Sequence, residues 1–167
     1  MGAMVLDALS GSDVPVVMLS TMVIAAVTLA ASCLVDILTA ALDPRVRKAF
    51  VSGYLYGVDD SLLHLNGNCS CNYTPGLWRL LDMGDIASLV APRPLLVQSC
   101  EEDHLNGARG LKNVDEQLKI VLDAYELLGR RGGLRHEVCP GGHHLGVAHL
   151  AEDIEWLDSQ VAECANA

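Results

Sequence analysis

The stretch Ala91-Pro92-Arg93-Pro94-Leu95-Leu96-Val97-Gln98-Ser99-Cys100-Glu101-Glu102-Asp103-His104 holds, in succession, a helix stop, a short strand and an acidic loop. Proline cannot continue a helix and restricts the residue before it, so the helix predicted over Asp85–Val90 stops at Ala91. Leu95–Ser99 then reads as a short buried strand. Downstream, Leu111, Val114, Leu118, Val121, Tyr125 and Leu128 form one helical stripe, and Gly129 ends that helix. Leu134–Cys139 is the next strand, and Leu150, Ile154, Leu157 and Val161 mark the inner face of a last helix. Upstream, Lys48–Tyr54 reads as a strand with Gly53 at its end. Strands alternating with helices at this spacing imply an α/β fold, a mostly parallel sheet covered by helices on both faces.

In such sheets chemistry collects at the carboxyl edge of the strands. After Leu95–Ser99 comes Cys100-Glu101-Glu102-Asp103-His104, and after Leu134–Cys139 comes Pro140-Gly141-Gly142-His143-His144. An acidic loop after one strand and a Gly-Gly-His loop after the next is a layout in which a carboxylate orients an imidazole as a general base. The glycines let the loop turn tightly and aim the ring.

The whole chain, 167 residues with 21 acidic against 11 basic side chains and a formal charge of −10, has the length of one domain. Nucleic acid is excluded as a partner, because phosphate binding needs clustered Lys and Arg and these are scattered among twice as many carboxylates. With 51% hydrophobic and 19% charged residues, a disordered tail is excluded as well. Residues 1–40 are a different kind of sequence: nothing before Arg45 is basic, and no aromatic residue precedes Phe50. Val14–Val35 carries no charge and is long enough for a membrane helix. Pro15, the hydroxyls of Ser20, Thr21, Thr28 and Ser32, and the nearby Asp36 and Asp43 argue against a span. The missing basic n-region argues against a secretory signal, despite the lipoprotein-like Leu29-Ala30-Ala31-Ser32-Cys33. The six cysteines read as reduced, buried thiols of a cytoplasmic protein, and Cys69-Ser70-Cys71 lacks both the spacer and the second pair of a metal site.

One combination of segments is specific: Ala41-Leu42-Asp43-Pro44-Arg45-Val46-Arg47-Lys48-Ala49, Ser52-Gly53-Tyr54, Cys69-Ser70-Cys71-Asn72-Tyr73-Thr74-Pro75-Gly76, Asp82-Met83-Gly84-Asp85-Ile86-Ala87, Ala91-Pro92-Arg93-Pro94-Leu95-Leu96, Glu102-Asp103 and Gly141-Gly142-His143. With these, residues 41–167 resemble the C-terminal half of an α/β-hydrolase of the dienelactone-hydrolase-like and acetyl-xylan-esterase-like branch. The resemblance implies a single, partial α/β-hydrolase domain with its N-terminal strands missing and residues 1–40 as a divergent apolar segment. It makes Asp103 the triad acid and His143 the base, with His104 and His144 as bystanders on the same edge.

The family's nucleophile sits in a Gly-x-Ser-x-Gly turn, and counting back by the family's helix lands on Ala30, where no glycines stand. Ser32 is the expected nucleophile and Cys33 the alternative. At most one strand, Met22–Leu29, fits before them. The implied activity is hydrolysis of small-molecule carboxylic esters or lactones through an acyl-enzyme, with no cofactor or metal. A catalytically silent hydrolase-like binding protein is the other expectation. An uncovered apolar segment at residues 14–35 predicts a homo-oligomer.

Overall fold

The structure is a computed structural model, and it describes residues 43, 45–64, 67–68 and 76–165. Met22–Leu29, the apolar run 14–35 and the Cys69-Ser70-Cys71 pair lie outside the described residues. The elements are β1 (Ala49–Ser52), α1 (Met83–Ser88), β2 (Leu95–Cys100), α2 (Leu111–Leu127), β3 (Leu134–Cys139) and α3 (Leu150–Ala165), joined by loops and short 3-10 turns. The three strands form a parallel sheet in the order β1-β2-β3. Ala49 is opposite Leu95, Leu95 opposite Leu134, and Cys100 opposite Cys139.

β1 is shorter than the Lys48–Tyr54 expected from sequence. The Gly53 backbone turns to φ +62, outside the extended region, so pairing ends with the Gly53 N–H donating to the Gln98 carbonyl at 2.8 Å. The first helix begins two residues before the expected Asp85. Asp82 caps it: its side chain accepts from the Met83 N–H at 2.7 Å, and Asp85 reaches back to the Asp82 N–H at 2.7 Å. α1 then packs so closely on α2 that the Gly84 N–H donates to Gln117 Oε1 at 2.7 Å.

Alternation along β2 divides the two faces of the sheet. Leu95 and Val97 join Val114, Leu118, Val121 and Tyr125 of α2 and Met83 of α1 in the main core. Leu96 and Gln98 point the other way, toward α3. There the register of the last helix differs from the expected stripe: Ile154 is 44% exposed, whereas Asp153 is fully buried beside Leu157. Asp153 lies 3.4 Å from Arg135 on β3, whose guanidinium stands 5.7 Å from the centre of the Trp156 ring. Among the described residues no helix is long and apolar enough to cross a membrane.

On the α2 face, His136 Nε2 lies 3.2 Å from Ser99 Oγ. Burial pushes this imidazole below its ordinary value, with Asp115 partly opposing. Between that lowered value and about 6.5, the unfolded chain binds the extra proton and the folded chain does not. Stability therefore rises with pH across this window and levels off on either side. Urea titrations at about pH 5 and about pH 7.5 are expected to show a gain in midpoint that shrinks in His136→Gln. An equal gain in both proteins would refute the assignment.

Candidate active site

The loops after β2 and β3 are tied to each other before either carries a functional side chain. The Glu101 N–H donates to the Cys139 carbonyl and the Glu102 N–H to the Gly141 carbonyl, each at 2.9 Å. This extends the parallel ladder past the strand ends and sets the two loops at one height above the sheet. Asn106 fastens the acidic loop from below. Its side chain donates to the Cys100 carbonyl at 3.1 Å, while Asn113 of α2 donates to the Asn106 carbonyl at 2.8 Å.

Of the three carboxylates in the loop, Glu101 and Glu102 face solvent and Asp103 is buried. Asp103 Oδ1 accepts from the Leu105 N–H at 2.9 Å, capping the turn His104–Asn106. Its other oxygen, Oδ2, lies 2.7 Å from His143 Nδ1. A carboxylate only accepts, so Nδ1 carries the proton in this pair, leaving Nε2 of the neutral ring as the acceptor. The Asp103 carboxylate is wholly removed from water, whereas the His143 side chain is 47% exposed. A buried, fixed acceptor behind a half-exposed ring holds the imidazole in one tautomer while its working nitrogen stays reachable.

Room for the ring is made by Gly53 at the end of β1. A methyl group there would stand 2.9 Å from His143 Cε1 and 3.1 Å from Nδ1. The three loops at the carboxyl edge of β1, β2 and β3 thus each contribute one residue: Gly53, Asp103 and His143.

The other two histidines of the edge are placed differently. His104 is 65% exposed, with Nδ1 3.9 Å from Asp103 Oδ1. His144 bonds through Nδ1 to the Gly142 carbonyl at 2.7 Å, and the same nitrogen lies 3.6 Å from the Cys100 thiol. Ser32 and Cys33 lie outside the described residues, so the structure does not place either against His143. Cys100 and Cys139 are buried free thiols, and burial pushes the Cys139 thiol up from its ordinary value. Among the described residues no group of three or more His, Cys, Asp or Glu side chains is arranged to hold a metal ion.

Sequence reasoning did not single out Gln98. It is 1% exposed in the middle of β2, and its amide reaches the far side of the histidine loop. A primary amide at the centre of a buried strand, where it must find partners, was the available signal.

No family model and no curated protein matches this sequence. Solved structures do. A carbohydrate esterase family 15 glucuronoyl esterase from Caldicellulosiruptor kristjansonii is 15% identical with a TM-score of 0.60, over 76% of this chain and 40% of that one. Methylesterase BT1017 is 20% identical with a TM-score of 0.51, over 78% and 27% of the two chains. A promiscuous esterase of the same family 15 from the marine bacterial metagenome is 18% identical with a TM-score of 0.51, over 74% and 38%. The chain therefore spans less than half the length of each of these structures. Over the part matched, it shares the fold of these three structures.

Proposed function

We propose that this chain carries the acid and base of a hydrolase of carboxylic esters or lactones, working through a Ser or Cys acyl-enzyme. The observation that carries the reading is the 2.7 Å contact between the buried Asp103 carboxylate and His143 Nδ1 at the carboxyl edge of a parallel sheet. The similar structures, each described as an esterase, support the same class of reaction.

Neutral His143 takes a proton at Nε2 as the nucleophile oxygen or sulfur bonds to the ester carbonyl carbon. The imidazolium so formed is paired with Asp103. It returns the proton to the leaving alcohol oxygen as the carbon–oxygen bond breaks, which leaves an acyl-enzyme. Water then repeats the sequence: His143 removes its proton, the hydroxide adds to the acyl carbon, and the nucleophile leaves reprotonated with release of the acid. Ser32 is the proposed nucleophile and Cys33 the alternative. No cofactor enters any step.

The test is covalent labelling of the full chain with a fluorophosphonate and, separately, iodoacetamide, the adduct being located by mass spectrometry. An adduct on Ser32 or Cys33 that forms in the wild type and is suppressed in His143→Ala supports the assignment. Ester turnover with both residues unlabelled would put the nucleophile elsewhere. A folded chain with neither adduct nor turnover would overturn the hydrolase reading.

A further inference from the structure

The loop that carries His143 runs from Pro140 to His149, and its side chains are largely exposed. It is fastened near its start by the Glu102 N–H on the Gly141 carbonyl. Past the histidine, the Cys100 thiol donates to the His144 carbonyl at 3.3 Å, and a stronger, two-point fastening is made by Gln98. The Gly146 N–H donates to Gln98 Oε1 at 2.9 Å, and Gln98 Nε2 donates to the Gly146 carbonyl at 3.0 Å. A primary amide offers an acceptor and a donor side by side, so it pairs with both backbone groups of a single residue as a neighbouring strand would.

The amide's orientation is fixed from outside the loop. Ser52 Oγ on β1 donates to the same Oε1 at 3.0 Å, and Nε2 also lies 3.4 Å from Glu137 Oε2 on β3. Rotating the amide would set its oxygen against the Gly146 carbonyl and the Glu137 carboxylate. The chain approaches so closely here that a methyl group on Gly146 would collide with Cys139 Sγ and fall 3.0 Å from Gln98 Nε2. Bonds made in so dry a place are costly to leave unmade, so the loop has one seat. His143 lies between the fastening at Gly141 and those at His144 and Gly146.

We propose that Gln98 is the positioning residue of the catalytic base: its amide seats the return of the histidine loop on Gly146 and thereby holds His143 against Asp103. This rests on the reading of His143 as a general base. Gln98 touches no reacting atom. Its effect passes through the loop backbone, and a ring misplaced by about an ångström loses on the order of 100-fold in rate.

Two variants of the full chain test this, Gln98→Met and Gln98→Glu. The readouts are turnover of p-nitrophenyl acetate and the proton resonance of His143 Nδ1–H, assigned by its disappearance in His143→Gln. In Gln98→Met, which has the length but neither hydrogen-bonding group, the resonance is expected to be lost to solvent exchange. There kcat should fall by roughly 100-fold while KM stays within about twofold.

Gln98→Glu keeps the acceptor for the Gly146 N–H but regains a donor only when its carboxyl is protonated. Its resonance is therefore expected at acid pH and should vanish as the pH rises, whereas the wild-type resonance persists. Ionising a carboxyl buried beside Glu137 also costs stability, so the signature is loss of the His143 signal while the other resonances of the folded chain persist; unfolding would erase all of them together. That signature also remains readable if Gln98→Met fails to fold. Wild-type resonances in both folded variants, or a Gln98→Glu resonance that ignores pH, would overturn the proposal. If the wild type turns over no ester, the hydrolase reading fails, but the resonance still reports whether Gln98 seats the ring.

Discussion

His143→Ala is expected to lower kcat/KM for p-nitrophenyl acetate by roughly 10³- to 10⁴-fold, with little change in thermal stability. The activity loss follows from the ring's place. His143 alone among the histidines of this edge has one nitrogen on a buried carboxylate, at 2.7 Å, with the other free to accept a proton. The cost in stability is limited because the ring is half-exposed, so its removal opens the Asp103 oxygen it leaves behind to water.

Asp103→Asn is the companion experiment. The amide side chain it introduces can still accept from the Leu105 N–H, which keeps the turn, but its N–H can also face Nδ1. The imidazole would then carry its proton on Nε2 and could not act as a base, so a comparable loss is expected with the chain folded. Rates measured by stopped flow or at a plate reader on purified variants would settle both. Full activity in His143→Ala would end the assignment of the base.

Much of this arrangement was legible in the order of residues. Two prolines before Leu95 and one Gly-Gly-His loop after Cys139 placed β2 and β3 almost to the residue, because strand ends at a carboxyl edge are marked by local chemistry. Among the loop's three carboxylates, the resemblance pointed to Asp103, and the structure brings that one to His143 while its neighbours face water.

What was not legible depends on contacts far apart in the chain. Gln98 and Gly146 are 48 residues apart, and nothing in the periodicity of either segment names the other. The last helix shows the same limit. Its apolar spacing pointed Ile154 inward, but Asp153 is buried there instead, facing Arg135 on β3, and an ion pair of that kind is invisible to a count of hydrophobic positions. Gly53 was read as the end of a strand, which it is. That it also makes the space for an imidazole arriving from residue 143 is a property of the assembled edge.

Gly53→Ala is expected to separate stability from activity. The residue sits at φ +62, where an L side chain costs about 1 to 2 kcal/mol. Its new methyl would also stand 2.9 Å from His143 Cε1 and 3.5 Å from Asp103 Oδ2. Real contacts are not that short, so something must move. The β1 backbone is held by its bond to Gln98 and the Asp103 carboxylate is buried, so the exposed ring is the part that gives way. Displacing it stretches the bond to Asp103 and re-aims Nε2, for which a loss on the order of 100-fold in kcat is expected.

Gly129 supplies the control. At the end of α2 it has φ +67, the same left-handed backbone, but a methyl there meets nothing within 4 Å. Gly129→Ala should therefore lower the melting temperature by the backbone strain alone, no more than Gly53→Ala does, while leaving turnover untouched. Calorimetry and ester assays on the two variants side by side make the comparison. If both lose the same stability and both keep full activity, Gly53 serves only to end its strand, and the room it leaves for the His143 ring has no part in aiming the base.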